Sequence, residues 1–393
     1  MNRNYILFDT PARDQLYPFT LTRPVSACRT GILTIHEKWE HWLQAPCSFY
    51  TVRWLQEKYP LPDMDAVSLQ LLINAHMLPD AALVAAIQAL EDGHELYKDN
   101  QLIAKAILGK DLLTPGRKRL DYPGPVGRVQ VPWDIFQLND KALRADFARL
   151  TAGRTSAPLS ATNQVLGAGQ VFVEAGARVE YCLLNALEGP IYIGKNAQVM
   201  EGCLIRGPFA LGEGAVLKMG TKVYGATSIG PYSTGGGEIK NSVIFGYSNK
   251  AHDGYLGDSV IGEWCNLGAN TSNSNLKNNA GTVKVWMDAR QEAWPAGRKC
   301  GLLMGDYSRA AINTSFNTGT VVGVSCNVFG AGLTEKFIPS FSWGAGQYVL
   351  ETAFRDIAAW KELKGKTLEE ADKTILRAIF ERRYTNITAL EII

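Results

Sequence analysis

The sequence predicts a chain of two main parts, an α/β domain followed by a left-handed parallel β-helix, with a helical tail. Three observations predict this fold class. Residues 1–150 alternate strand-like and helix-like apolar segments. Within residues 165–345, and starting at Ile193, an aliphatic residue recurs at every sixth position, which neither a helical period of 3.6 nor a strand period of 2 produces. Residues 346–393 return to a helical period.

The first domain shows apolar runs of strand and helix character in alternation. A Pro-Asp pair before the last of them is a helix start signal. Residues 151–164, TAGRTSAPLSATNQ, are small and polar with a proline, and we expect them to be a linker. The strand-like and helix-like segments are Tyr5–Phe8, Ile32–Leu43, Phe49–Leu55, Ala66–Asn74 and Ala81–Leu90.

The repeat is hexapeptide in length, and glycine often follows the aliphatic residue directly. Three short strands of this kind form one triangular coil, with one aliphatic residue per strand pointing inward. Tight corners between flat strands favour glycine, which explains why the chain contains 38 glycines. The aliphatic series begins with Ile193, Val199, Ile205, Leu211, Leu217, Val223 and Ile229.

Two segments interrupt or end the repeat. Residues 271–300 break the rhythm, so we expect them to leave the coil as a loop of functional importance. Tyr348–Leu363 is amphipathic, and Thr367 and Glu370 have capping-box spacing before a second helix. We expect this tail to cover the open end of the β-helix. Because β-helices of this type present flat faces, we also expect a homotrimer.

Composition excludes several classes of protein. With 40 Lys+Arg against 38 Asp+Glu, the formal charge of +2 argues against a nucleic-acid-binding protein but allows a local pocket for a phosphorylated small molecule. We find no signal peptide and no apolar stretch long enough for a membrane span, and expect a cytoplasmic protein without nucleic-acid or membrane partners. The seven scattered cysteines suggest neither disulfides nor a zinc site.

One stretch, from Gly235 to Lys277, has a specific pattern. It resembles the acetyltransferase half of the bifunctional family of UDP-N-acetylglucosamine pyrophosphorylase and glucosamine-1-phosphate N-acetyltransferase. That family has E-x-K-x-S, K-x-x-H-x-x-Y-x-G-D and I-G-x-x-x-N-x-G-A-x-T, followed by an Asn in an excursion loop. The matching residues are Glu238, Lys240, Ser242, Lys250 or Ala251 near His252, Tyr255, Gly257, Asp258, Ile261, Gly262, Asn266, Gly268, Ala269, Thr271 and Asn275.

The resemblance implies a set of roles on the β-helix. Acetyl transfer to an amine needs a proton acceptor, and histidine titrates in the right range. His252 is the only histidine in the repeat and would be the general base, with Asn275 orienting the amine. Lys222 and Lys240 are 18 residues apart, one full coil, so we expect both to face one phosphate.

Further binding residues are implied for the two substrates of this half. Tyr255 and Lys277 would complete the sugar-phosphate pocket. Acetyl-CoA would lie along the groove between coils, against backbone donors near Ala269, Asp306 and Gly323.

The first domain resembles sugar nucleotidyltransferases, which have a Rossmann-like α/β fold. Such enzymes open with a strand, a Gly-rich loop containing an Arg, and P-L-T-x-x-R-P-K. The segment YILFDTPARDQLYPFTLTRPVSACRTGILTIHEKW lacks the loop glycines and the final Lys but keeps much of the pattern. The resemblance implies nucleotide binding by Arg13 and Arg23, with further basic groups from Arg29 or Lys38. Mg²⁺ is expected for nucleotidyl transfer, and its ligands are unknown.

Over nearly the full chain, segments such as NAHMLPD, PWDIFQLN and FIPSFSWG resemble the divergent branch of the bifunctional family described for Bacteroidetes-type bacteria. This resemblance implies acetyl transfer from acetyl-CoA to glucosamine-1-phosphate in the β-helix and uridylyl transfer from UTP in the first domain. Two alternatives remain open. One is a nucleotidyltransferase for another sugar-1-phosphate, such as a thymidylyltransferase, with a purely structural β-helix. The other is a non-catalytic scaffold, suggested by the missing loop glycines and by His76.

Overall fold

The first domain is built on a mixed six-stranded sheet of order β2-β1-β3-β6-β5-β7. The structure, a computed structural model, describes residues 2–61 and 64–382. Strand β1 pairs in parallel with both neighbours, and β3 pairs antiparallel to β6. The strands are β1 (Arg3–Phe8), β2 (Cys47–Tyr50), β3 (Leu69–Asn74), β4 (Met77–Leu78), β5 (His94–Lys98), β6 (Gln101–Leu108), β7 (Lys118–Asp121) and β8 (Gly127–Arg128).

Local capping sets where the first-domain helices begin. The predicted amphipathic segment becomes helical only at Ile35, because Thr34 and Glu37 form a reciprocal capping box. The predicted helix at Ala81 begins there, since the Asp80 carboxylate accepts a hydrogen bond from the Leu83 N–H. The four helices are α1 (Ile35–Leu43), α2 (Ala81–Gln88), α3 (Asp134–Gln137) and α4 (Asn139–Thr151). Residues 152–163 carry no helix or strand.

The repeat folds into a three-sided prism of parallel strands, which confirms the predicted left-handed β-helix after an α/β domain. We call its faces the domain face, the helix face and the open face. The domain face is Val171–Val173, Ile191–Ile193, Phe209–Leu211, Thr227–Ile229, Val243–Ile244, Val260–Ile261, Leu302–Met304, Thr320–Val322 and Phe337–Ile338. The helix face is Arg178–Val179, Gln198–Val199, Val216–Leu217, Thr234–Gly235, Asn249–Lys250, Asn266–Leu267, Arg309–Ala310, Asn327–Val328, Ser342–Trp343 and Gly346–Gln347. The open face is Gln164–Leu166, Leu183–Asn185, Leu204–Arg206, Lys222–Tyr224, Glu238–Lys240 and Tyr255–Gly257, and the pair Ser272–Asn273 and Ser315–Phe316 lies beyond it.

The prism interior consists of the aliphatic residues that the hexapeptide period identifies. All seven members of the predicted series, from Ile193 to Ile229, are buried. Each contributes one inward side chain per strand, while its sequence neighbours on the strand point outward. The interior column of each face therefore follows from the sequence period alone.

The domain face is covered by the first domain. The two share one apolar core, in which Phe19 contacts Phe245 with ring centroids 5.6 Å apart. Helix α4 packs against the strand Thr227–Ile229, and the Asn139 side chain donates a 2.8 Å hydrogen bond to the Ala226 carbonyl. The first domain and the β-helix are thus joined by a buried interface.

The C-terminal helices, α5 (Leu350–Glu362) and α6 (Glu370–Arg382), pack along the side of the prism. They cover a corner column that includes Trp264, Tyr307 and Phe341, together with Val52 and Leu55 of the first domain. The expectation that the tail covers the open end of the β-helix is therefore wrong for the described helices. The physical reason is that their apolar stripe matches large aromatic side chains projecting from this corner. Residues 383–393 lie outside the described part of the chain.

The predicted excursion is not a simple loop. Its first residues still form the strand Ser272–Asn273, and its centre is an antiparallel hairpin of Val283–Met287 and Glu292–Gly297. Val283, Val285 and Met287 are buried in the core shared with the first domain.

None of the helices in the described ranges is long and apolar enough to cross a membrane.

Candidate functional site

The open face carries most of the predicted sugar-phosphate residues. Alternation along each strand buries Val223, Ile239 and Leu256 and turns their neighbours outward. The outward residues form two columns across three adjacent coils. One column is Lys222, Glu238 and Tyr255, and the other is Tyr224, Lys240 and Gly257.

This register corrects one detail of the prediction. Lys222 pairs with Glu238, and Lys240 pairs with Tyr224, so the two lysines lie on the same face but in different columns. The coil is shorter here than the 18-residue period assumed from sequence, because the chain between the two strands lacks residues present in earlier coils. Both lysines still point away from the prism interior, on adjacent strands.

Tyrosine and carboxylate groups connect these columns. The Tyr224 hydroxyl donates a 2.6 Å hydrogen bond to Glu238 Oε1, and this bond, together with burial, raises the pKa of Tyr224 to about 12. Lys240 Nζ lies 5.5 Å from the centre of the Tyr224 ring, within cation–π range. Lys222 lies in the same column as Glu238, and Lys240 lies beside the Tyr224 ring.

The excursion brings Asn275 to this face. Its amide donates hydrogen bonds to the Tyr255 hydroxyl, at 3.0 Å, and to the Asp258 carboxylate. Asp258 is buried and also accepts a 2.7 Å bond from Asn241. Burial and the nearby Asp258 raise the pKa of Tyr255, so it remains a neutral phenol. We call Lys222, Tyr224, Glu238, Lys240, Tyr255, Asp258 and Asn275 the open-face cluster.

A second asparagine fixes the start of the excursion. Asn273 is buried and its amide forms two bonds to Gly257, accepting from the N–H at 2.9 Å and donating to the carbonyl at 3.1 Å. These side-chain bonds take the place of backbone ladder bonds between the strands Tyr255–Gly257 and Ser272–Asn273. Asn275 follows two residues later and has its own bonds to Tyr255 and Asp258.

His252 lies at the corner between the helix face and the open face, three residues before Tyr255. It is exposed. The backbone of residues 252–253 contacts Gly237 of the preceding coil, and the Asp253 carbonyl accepts a hydrogen bond from the Asn270 N–H of the following coil. Its carbonyl accepts a hydrogen bond from the buried Lys250 amine. The structure therefore places His252 at the edge of the open-face cluster, with an accessible imidazole.

Lys277 lies further along the excursion and is half-buried. Burial and, to a smaller extent, the positive charge of Lys277 lower the pKa of Lys336. Lys336 donates to the Thr318 hydroxyl at 3.1 Å. The structure thus pairs Lys277 with a second lysine that the sequence analysis did not identify.

The three positions predicted for acetyl-CoA do not come together. Ala269 is half-buried at the corner between the helix and open faces. Asp306 and Gly323 lie at a different corner, buried under the first domain. The Asp306 carboxylate is bound by Thr22 and Arg23, and the Gly323 N–H donates to the Ile338 carbonyl at 2.8 Å. The Asp306 side chain and the Gly323 N–H thus have partners within the protein, and contact of acetyl-CoA with backbone donors near Ala269, Asp306 and Gly323 stays a prediction.

The four basic residues predicted for the nucleotide are all buried and all form ion pairs. Arg13 binds Asp9 at 3.1 Å, and Lys38 binds Asp146. Arg23 binds Glu263 at 3.1 Å and also Asp306, while Arg29 lies 3.6 Å from Glu37. Arg23 and Arg29 line a cleft of about 410 Å³ between the first domain and the β-helix, whereas Arg13 and Lys38 do not.

We call Thr22, Arg23, Glu263 and Asp306 the interface cluster. Burial opposes the ionisation of Glu263, but the charges of Arg23 and Lys58 outweigh it and lower its pKa. The segment that would hold the triphosphate in a nucleotidyltransferase is thus bound to the β-helix by a charged contact.

The residues at the end of β1 do not fit a Mg²⁺ ion. Asp9, the carboxylate there, accepts bonds from Arg13, from the Thr51 hydroxyl at 2.6 Å and from the Val25 N–H at 3.0 Å. His76, after β3, is buried with Nδ1 2.7 Å from the Val129 carbonyl. Over residues 2–61 and 64–382, no three His, Cys, Asp or Glu side chains are grouped as metal ligands.

Comparisons with known proteins identify one matching family and several relatives. Residues 5–155 match the family described as sugar nucleotidyl transferase. The bifunctional protein GlmU of Methanocaldococcus jannaschii is 37% identical over 103 residues, covering 26% of this chain and 25% of that protein. The bifunctional protein GlmU of Methanococcus maripaludis (strain S2 / LL) is 28% identical over 230 residues, covering 56% of this chain and 49% of that protein.

A solved hexapeptide transferase family protein from Anaplasma phagocytophilum aligns with 15% identity and a TM-score of 0.24, covering 58% of this chain and 92% of that one. The chain spans half or less of the length of these curated relatives. The class of protein to which residues 5–155 are similar is the sugar nucleotidyl transferases. The chain is similar to the GlmU-like bifunctional family, as the sequence predicts, and the Bacteroidetes-type branch stays a prediction.

The sequence motifs contain Glu238 and Asp258 without indicating a role for either. They do not identify Tyr224, Asn241 or Asn273 as part of the site. The strand alternation around Val223 and Ile239 could have placed Tyr224 and Glu238 on the outward face. The contacts of Asn241 and Asn273 join different coils, and their partners follow only from the register.

Proposed function

We propose that the open face catalyses acetyl transfer from acetyl-CoA to the amine of glucosamine-1-phosphate. The observation that carries this proposal is the convergence of Lys222, Lys240, Tyr255 and Asn275 on one uncovered face, with His252 at its edge. Two cations on adjacent strands suit a phosphate monoester. The accessible imidazole suits the acceptance of a proton from an amine.

In this mechanism the amine nitrogen of the sugar attacks the thioester carbonyl. A C–N bond forms, the C–S bond breaks, the amine proton passes to His252, and the coenzyme leaves as the thiol after protonation. Asn275 is held by Tyr255 and Asp258 and orients the amine. Lys222 and Lys240 bind the phosphate, and Ala269 lies at the corner nearest the thioester. Lys277, beside Lys336, supplies further positive charge to the substrate.

A second activity, uridylyl transfer from UTP to N-acetylglucosamine-1-phosphate, is proposed for the first domain. It is supported by the family match over residues 5–155 and by the cleft that Arg23 and Arg29 line. Since no described residues fit Mg²⁺, no step is assigned to a metal. Assaying nucleotide sugar formation from UTP and from dTTP separates this activity from that of a thymidylyltransferase, and absence of both products favours a scaffold.

The acetyl-transfer proposal is tested by His252→Ala. We expect acetyl transfer to fall by about 10²–10⁴-fold, the usual contribution of a general base. The matched control is His41→Ala, an exposed histidine on α1, which should keep the wild-type rate. A His252→Ala rate equal to wild type would exclude His252 as the base. The homotrimer, the cytoplasmic location and the small-molecule partners stay predictions. Analytical ultracentrifugation measures whether the protein is a trimer.

A further inference from the structure

Lys250 occupies an interior position of the prism where other coils have aliphatic residues. It pairs in register with Gly235, which in turn pairs with Leu217, and the next strand of the same face has Leu267 at its inward position. Lys250 is 1% exposed, although it belongs to a residue type that is almost never fully buried without partners. The hexapeptide period accounts for an aliphatic side chain here but not for an amine.

The Lys250 amine ends among three backbone carbonyl oxygens at one corner. It donates to Gly236 at 3.2 Å, to Asp253 at 3.3 Å and to His252. Gly236 belongs to the preceding coil, whereas His252 and Asp253 form the corner that enters the open face. One amine therefore ties two successive coils together beneath the accessible His252 imidazole.

A charged amine at this position opposes stability unless its bonds offset the loss of hydration. Burial lowers the pKa of Lys250 to about 8, with Asp253 acting in the opposite direction. Packing alone would be served better by leucine or methionine. The amine instead provides directional contacts, because it donates three hydrogen bonds to backbone carbonyls at one corner.

We propose that Lys250 is a positioning residue for acetyl transfer, which fixes the corner at residues 252–253 so that the His252 imidazole is held toward the open-face cluster. This inference rests on the proposed function. Lys250 contacts neither substrate. It acts through the His252 backbone, and we expect its loss to lower kcat while leaving substrate binding by Lys222 and Lys240 unchanged.

The test compares Lys250→Met with Leu267→Met, a matched change at the inward position of the next strand. We expect Lys250→Met to lower kcat for acetyl transfer at least tenfold, with KM within twofold and a melting temperature equal to or above that of wild type. Leu267→Met should keep the wild-type kcat. A purely structural lysine would instead lower the melting temperature and leave kcat near wild type, and that result would overturn the proposal.

Amide hydrogen exchange gives a readout independent of activity. We expect the amides of residues 251–254 to exchange at least tenfold faster in Lys250→Met than in Leu267→Met. If wild type shows no acetyl transfer, the proposed function fails, and unchanged exchange at this corner separately overturns the positioning role. Should Lys250→Met fail to fold, Lys250→Leu takes its place, because leucine has no donor and already occupies the inward position of the next strand at Leu267; a kcat equal to wild type in that variant contradicts the inference.

Discussion

Two clusters place basic residues beside carboxylates of the same β-helix, and they differ in what covers them. The open-face cluster combines Lys222 and Lys240 with Glu238 on an uncovered face. The interface cluster combines Arg23 with Glu263 and Asp306 beneath the first domain, where Arg23 is 2% exposed. Similar charges thus serve a candidate substrate site in one place and an interdomain contact in the other.

The comparison shows how burial decides the role of a charge. In the interface cluster, each ion has lost its hydration and depends on its partner, so removal of one partner leaves an uncompensated buried charge. On the open face, water remains available to the lysines, and their pairing within the protein adds little to stability. We therefore expect substitutions in the interface cluster to lower the free energy of unfolding, and substitutions in the open-face cluster to weaken substrate binding.

The largest effect is expected for Asp306→Ala in the interface cluster. Loss of this carboxylate removes one of the two carboxylates that bind Arg23 and leaves the Thr22 hydroxyl only a 3.4 Å bond to the Phe19 carbonyl. We expect the free energy of unfolding to fall by about 3–5 kcal/mol, measured by urea unfolding followed by tryptophan fluorescence. The matched change on the open face, Glu238→Ala, should cost less than about 1 kcal/mol. Equal losses for the two variants would contradict the distinction drawn between the clusters.

An intermediate effect is expected from the pH dependence of Lys250. Its pKa is about 8 in the folded protein, below its ordinary value of 10.5. Between these two pH values the unfolded chain holds a proton that the folded chain does not, so folding becomes more favourable as pH rises through this window. Relative to Lys250→Met, wild type should gain up to about 3 kcal/mol between pH 7.5 and 10.5. Thermal unfolding of wild type and Lys250→Met across this pH range measures the gain. A difference in stability between the two proteins that stays constant with pH would refute the prediction.

The smallest effect on folding, with a clear effect on binding, is expected for Lys240→Met on the open face. Loss of one charge-assisted contact should raise KM for the sugar phosphate by about 10–100-fold, corresponding to about 1.5–3 kcal/mol. The free energy of unfolding should change by less than about 0.5 kcal/mol. Lys195→Met, an exposed lysine away from this face, is the control. A KM unchanged in Lys240→Met would remove Lys240 from the phosphate site.

Much of the candidate site could be predicted from sequence, because strand geometry is local. Alternation around Val223, Ile239 and Leu256 places their neighbours outward whatever the rest of the chain does. The family resemblance implies that Tyr255 and Asn275 belong to one site, and a 3.0 Å hydrogen bond joins them in the structure. The error over Lys222 and Lys240 came from assuming a constant coil length where one coil is short.

Other groups could not be assigned from sequence, since their environment depends on distant segments. Arg23 belongs to a motif-like loop, but the β-helix residues Glu263 and Asp306 determine that it is buried. Arg13 and Lys38 are likewise buried, and they pair with Asp9 and Asp146.

The sequence by itself determined the prism, its interior column and the outward direction of the open-face residues, because a six-residue period and strand alternation act over a few positions. Only the tertiary structure decided which faces are covered, which cations remain accessible and where the Lys250 amine ends. These outcomes depend on surfaces that meet from distant parts of the chain, and burial changes the energy of a charge far more than it changes that of an aliphatic side chain.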